Sequence, residues 1–134
     1  MNEAMLVKKA EEAAKAAYAP YSGFMVGAAL LCKNGSVYTG CNIENAAYSP
    51  SNCAERTAVF KAVSEGVREF EAVAVTGAFA SNSNKSQYTV PCGVCLQVLA
   101  EFCNPDEFTV IAANSAGEYK KYLLRELLPH GFAL

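Results

Sequence analysis

Cys53, Cys92 and Cys95 give the chain three thiols in the segments Cys53-Ala54-Glu55 and Pro91-Cys92-Gly93-Val94-Cys95. Three thiolates can fill three corners of a zinc tetrahedron and leave the fourth to water; a structural zinc site normally closes all four. Glu55, two residues after the first thiol, is placed to move protons on and off that water. The set implies a hydrolytic enzyme.

Three thiolates on one Zn²⁺ carry a net negative charge, which weakens the pull of the metal on water. Something must offset it. Cys53 and Cys92 fall where helices are predicted to start, and helix N-termini offer partial positive charge that lowers thiol pKa. Arg56 is expected to add to this by hydrogen-bonding to the sulfurs.

Blander readings compete. C-x-x-C alone also occurs in redox and structural zinc sites. Preceded by Pro91 and joined to a distant C-x-E at a helix start, it becomes specific. Cys32, Cys41 and Cys103 lie in apolar strands or at a helix end, where cysteine usually fills a core. A closed site with Cys41 as fourth ligand would leave Glu55 without a purpose. His130, between Pro129 and Gly131, is expected to be exposed and not a ligand.

The elements that must position these groups follow from periodicity and turn residues. Apolar residues at helical spacing predict a helix over 3–17. Pro20 and Gly23 then mark a loop. Residues 24–33 read as a strand, Asn34-Gly35 as a hairpin turn and 36–43 as the returning strand. After the polar loop 44–52, a helix capped by Ser51 or Asn52 is expected from Cys53 to Gly66. Strands are expected over 72–78, 108–114 and 119–122, a surface loop over 80–87, and helices over 92–103 and 123–128. Cys92 and Cys95, three apart, would share one helix face. This mixture predicts a three-layer α/β/α sandwich around a mixed five-stranded sheet, in one domain spanning 1–134.

Composition narrows the ligand. The 11 Lys and Arg are scattered against 13 Asp and Glu, for a net charge of -2, so no basic patch is set up for a nucleic-acid polymer. No signal peptide is evident, and no apolar stretch approaches the ~18 residues of a membrane span. Reduced cysteines in a cytoplasmic enzyme with a small-molecule substrate, away from any membrane, are the expectation.

The ligand-x-Glu and P-C-x-x-C segments are those of zinc-dependent deaminases. Ala19-Pro20-Tyr21-Ser22, Phe24-x-Val26-Gly27-Ala28-Ala29, Gly40-Cys41-Asn42-Ile43-Glu44-Asn45-Ala46, Cys53-Ala54-Glu55-Arg56-Thr57-Ala58 and Leu127-Leu128-Pro129 extend the likeness. Together they resemble the small homotetrameric cytidine deaminases, from about Ala14 to Phe132.

That resemblance implies deamination of cytidine and 2′-deoxycytidine in pyrimidine salvage, with one Zn²⁺ per subunit on Cys53, Cys92 and Cys95. It makes Glu55 the proton carrier between water, N3 and the departing amino group. Asn42 and Glu44 would bind the ribose 3′-hydroxyl, Phe24 would pack against the pyrimidine, and Ala54 would also bind substrate. Ala46 and Tyr48 would approach the 5′ end of the sugar from a neighbouring subunit. Phe132 would cover the base, also from a neighbour, so the active sites of the homotetramer would be shared. One departure stands out: the family commonly has Arg after the last zinc ligand, where this chain has Leu96 before Gln97.

Two rivals remain. A deaminase of a modified nucleoside or nucleoside antibiotic would use the same zinc chemistry. A catalytically inactive, zinc-stabilised binding module would not need Glu55. Deoxycytidylate and RNA-editing deaminases typically use His as first ligand and need basic residues for phosphate, which the 44–52 loop lacks.

Overall fold

Strand β1 (Phe24–Cys32) is an unbroken apolar run because it is paired on both edges and covered on both faces. The computed structural model describes residues 1–79 and 85–134; of the surface loop expected over 80–87, residues 80–84 lie outside the described residues. Asn34-Gly35 closes the hairpin from β1 to β2 (Val37–Cys41): Gly35 takes a φ of 90°, and Asn34 Oδ1 accepts from the Ser36 N–H at 2.9 Å.

Strands β3 (Phe70–Phe79), β4 (Thr109–Ala113) and β5 (Tyr119–Leu123) complete a five-stranded sheet of order β2-β1-β3-β4-β5. Only β3 and β4 run parallel, so the sheet is mixed. Helix α1 (Glu3–Ala14) covers one face, packing Leu6, Val7 and Ala10 with Ala29, Ala74 and Ile111. Helices α2 (Ala54–Ser64) and α3 (Gly93–Phe102) cover the other, packing Ala58, Val59 and Leu99 with Ala28, Leu30 and Val110. The expected α/β/α layers are these. The closing helix α4 (Leu124–Leu127) is a single turn.

Boundaries differ from expectation where local hydrogen bonds intervene. Helix α1 ends at Ala14, not Ala17, because the 15–17 amides fall back to i−3 carbonyls and Tyr18 leaves to bridge Ile43. Cys53, not Ser51 or Asn52, is the N-cap of α2. Asn52 is instead tied in a two-way backbone bridge with Ile43, both bonds 2.9 Å. Likewise, Cys92 is the N-cap of α3 and not a residue of its first turn.

Two glycines let the helices sit directly on the sheet. A Cβ on Gly27 would lie 1.9 Å from the Ala10 carbonyl oxygen of α1. One on Gly40 would lie 2.5 Å from the Ala54 carbonyl oxygen and 2.6 Å from the Ala58 nitrogen of α2. Gly40 therefore sets the depth of the helix that carries Glu55 and Arg56. Among the described residues, no helix is long and apolar enough to cross a membrane.

Candidate active site

The N-termini of α2 and α3 converge. Their N-caps supply Cys53 and Cys92, and the first turn of α3 supplies Cys95. The three Sγ atoms lie within 4.8 Å of one another, with Cys53 and Cys92 3.8 Å apart. Two sulfurs each about 2.3 Å from one tetrahedral zinc would stand about 3.8 Å apart, so this donor set fits the metal. Cys95 is buried, Cys92 exposed and Cys53 between, which leaves one side of the cluster accessible. Cys41 is not in the group, and the closed four-cysteine site does not form. Cys32 and Cys103 are buried core residues whose thiols burial pushes up, that of Cys103 to about 12. His130 is exposed, as expected.

The neighbouring Cys95 thiol and the Arg56 guanidinium lower the Cys53 pKa to about 5, whereas the neighbouring Cys53 and burial push the Cys95 thiol up. Arg56 Nη2 donates to Cys53 Sγ at 3.2 Å. Burial opposes the guanidinium charge, but the adjacent Cys53 and Cys95 sulfurs outweigh that and hold the proton more firmly than usual. Its Nε is buried without a partner among the described residues.

Glu55 is in the first turn of α2 and only 4% exposed. Burial raises its pKa to about 7, with the negative Cys53 adding to the rise. A carboxyl in that range can accept or release a proton near neutrality.

The remaining expected site residues are spread over the start of β1, the 42–48 segment, the start of α2 and the C-terminal segment. The Asn42 side chain brackets Phe24: Nδ2 donates to the Phe24 carbonyl at 2.7 Å, and Oδ1 accepts from the Val26 N–H at 2.9 Å. Glu44 holds the turn before β1, accepting from the Tyr21 and Ser22 N–H groups at 2.9 and 3.1 Å and from Ser22 Oγ at 2.5 Å. The Ser22 hydroxyl is the main reason its pKa is lowered. Glu44 and Tyr48 line one open cavity of about 410 Å³. Tyr48 adopts a φ of 62°, unusual for a side chain this large, and with Ala46 it is exposed. Ala54, fully buried, starts α2 between the Cys53 and Glu55 positions. Phe132 is 68% exposed, and its carbonyl accepts from Gln97 Nε2 at 2.8 Å.

A family model, "Cytidine and deoxycytidylate deaminase zinc-binding region", matches residues 1–112. The cytidine deaminase of Sporosarcina psychrophila is 47% identical over 133 residues, covering 99% of this chain and 93% of that protein. The chain belongs to the cytidine and deoxycytidylate deaminase family. A crystal structure of cytidine deaminase from Burkholderia pseudomallei superposes with a TM-score of 0.88 at 42% identity, covering 98% of this chain and all of that one. Blasticidin-S deaminase of Bacillus cereus is more distant, 34% identical over 106 residues, or 78% of this chain and 74% of that protein.

The last expected ligand, Cys95, is followed by Leu96. That side chain is 5% exposed and belongs to the core beneath α2 and α3, so it supplies no charge to the sulfurs. The positive groups at the cluster are the Arg56 guanidinium and the two helix N-termini. Sequence reasoning missed the groups that support the site: Ser22 under Glu44, Gln97 on the Phe132 carbonyl, and Phe79 against Phe24. Ser22 and Gln97 stand inside motifs that marked the region. Phe79 has no local signal and becomes visible only once β1 and β3 are in register.

Proposed function

We propose that the protein hydrolyses the 4-amino group of cytidine and 2′-deoxycytidine, yielding uridine and 2′-deoxyuridine plus ammonia, in pyrimidine salvage. The observation that carries this reading is the cluster of three thiols at two helix N-termini, with the buried Glu55 carboxyl one residue inside α2. Cys53, Cys92 and Cys95 would hold the zinc. Bound zinc supplies Lewis acidity that makes water nucleophilic near neutral pH.

Glu55 takes a proton from the attacking water and delivers protons to N3 and to the amino nitrogen. A C4–O bond forms, the C4–N bond breaks, and the nitrogen leaves as ammonia. A carboxyl with a pKa near 7 suits both directions of transfer. Arg56 keeps negative charge from building up on the sulfurs by donating to Cys53.

Phe24 packs against the base, beside Ala54. Asn42 and Glu44 meet the ribose 3′-hydroxyl. A carboxylate offers about four acceptor sites, and Glu44 uses three internally, so one is left for substrate. Asn42 keeps one N–H free in the same way. Exposed Ala46, Tyr48 and Phe132 act on a neighbouring subunit's substrate in a homotetramer of single-domain chains, in the cytoplasm.

The test is to incubate zinc-loaded protein with cytidine and follow ammonia release or the ultraviolet change. Absence of turnover rejects the proposal. A panel of cytidine, deoxycytidine, deoxycytidylate, cytosine, adenosine and blasticidin S fixes the substrate class. Clear preference for blasticidin S would replace it with the antibiotic reading.

A further inference from the structure

Phe24 stands at the first position of β1, where a strand end would ordinarily let an aromatic ring swing. Here the ring is confined from three sides. Beneath it is Gly77 of β3: a Cβ at that position would lie 2.7 Å from Phe24 Cζ and 3.1 Å from Val26 Cγ2, so the ring occupies the space a side chain would take. Opposite it in the β1–β3 register is Phe79, with ring centroids 4.8 Å apart and planes tilted by 51°. Behind it, the Asn42 amide fixes the Phe24 and Val26 backbone. Gly77 and Phe79 are two apart on one strand and so share the sheet face that Phe24 uses.

Phe79 is 43% exposed at the end of β3, where its burial contributes little to the core. It also lines, with Phe24, Gly77 and Val90, a cavity of about 220 Å³. Val90 stands two residues before the expected ligand Cys92 in the sequence.

We infer that Phe79 is a positioning residue for base recognition: its ring, with the vacancy at Gly77, holds Phe24 in the orientation that receives the pyrimidine. This rests on the proposal that Phe24 packs against the base. An offset aromatic pair is the arrangement that fixes one ring by another, and it is lost if either ring is removed.

Steady-state kinetics on zinc-loaded protein with cytidine test the idea. Phe79→Ala should raise KM by about three- to tenfold, the range commanded by an aromatic pair, while changing kcat by no more than about twofold. Phe79→Tyr, which keeps the ring, should restore KM. Gly77→Ala should raise KM as well, because its Cβ displaces the free end of the Phe24 ring and not backbone. In a Phe24→Ala background, Phe79→Ala should add little, since the group it positions is gone. Zinc content should stay at its unsubstituted value, and every variant should remain folded at the assay temperature.

If Phe24→Ala raises KM and Phe79→Ala does not, the positioning role is overturned while base packing stands. If the two substitutions multiply independently, or Phe79→Ala acts only by lowering zinc content or melting temperature, it is overturned as well. An unchanged KM in Phe24→Ala overturns base packing and this role together.

Discussion

At the scale of single residues, the site depends on two neighbours on α2 with opposite electrostatic tasks. Glu55 is buried and raised to about 7, ready to exchange a proton. Arg56 stays charged against its burial because it donates to Cys53 Sγ and stands beside Cys95. Glu55→Gln keeps the shape of the side chain and removes its proton exchange. Zinc content, measured by metal analysis, should be retained, while kcat falls by about 10²–10⁴-fold, the usual worth of general acid–base catalysis. A fully active variant would refute the mechanism. Arg56→Gln removes charge from the sulfurs without touching a ligand atom. With Leu96 apolar and in the core, no other side chain adjacent to the last ligand replaces that charge. Zinc loss to a chelator should therefore accelerate by about 10- to 100-fold, the typical worth of a hydrogen bond to a metal ligand. Loss at the unsubstituted rate together with normal kcat would remove Arg56 from the mechanism.

At the scale of elements, the site exists because α2 and α3 start at the same place, and Gly40 governs how closely α2 approaches. Gly40→Ala drives a Cβ into the α2 backbone, and Gly27→Ala does the same to α1. Both should cost at least about 1–3 kcal/mol by overpacking, read from urea midpoints. Only Gly40→Ala should also weaken zinc retention, because α1 carries none of the ligands. Equal zinc retention in the two would mean that helix depth does not set the cluster. Nothing in the sequence marks these glycines as contact points; both read as ordinary strand residues. By contrast, the hairpin at Asn34-Gly35, the helix starts at Cys53 and Cys92, and the three ligands were legible, because each depends on local chemistry. Strand order, the Asn42 and Glu44 bonds to the β1 lip, and the Phe24–Phe79 pair depend on long-range register, which periodicity does not encode. The cap expected at Ser51 or Asn52 failed for a related reason: the Ile43 bridge takes the Asn52 backbone, and its amide turns to Thr57.

At the scale of the whole molecule, the described site is open where a nucleoside would need cover. Cys92 is exposed, and Tyr48 and Phe132, two of the residues proposed to enclose substrate, project into solvent. Neither is loose. Tyr48 is fixed in a left-handed backbone conformation by bonds within the 45–51 loop, and Gln97 pins the Phe132 carbonyl. Exposed aromatics held this firmly are suited to enter a neighbouring copy's site, which is how the proposed homotetramer would close each one. Complementation separates shared from self-contained sites. Glu55→Gln and Phe132→Ala chains, each impaired at low cytidine concentration, are co-expressed with different tags and purified through both. A site built from the Glu55 of one variant and the Phe132 of the other is intact. Random mixing in a symmetric tetramer gives about a quarter of the sites this composition. Activity at low cytidine should then exceed the average of the two parents severalfold. Activity equal to that average, in assemblies shown by sedimentation to contain both chains, would mean that each site is completed by its own chain.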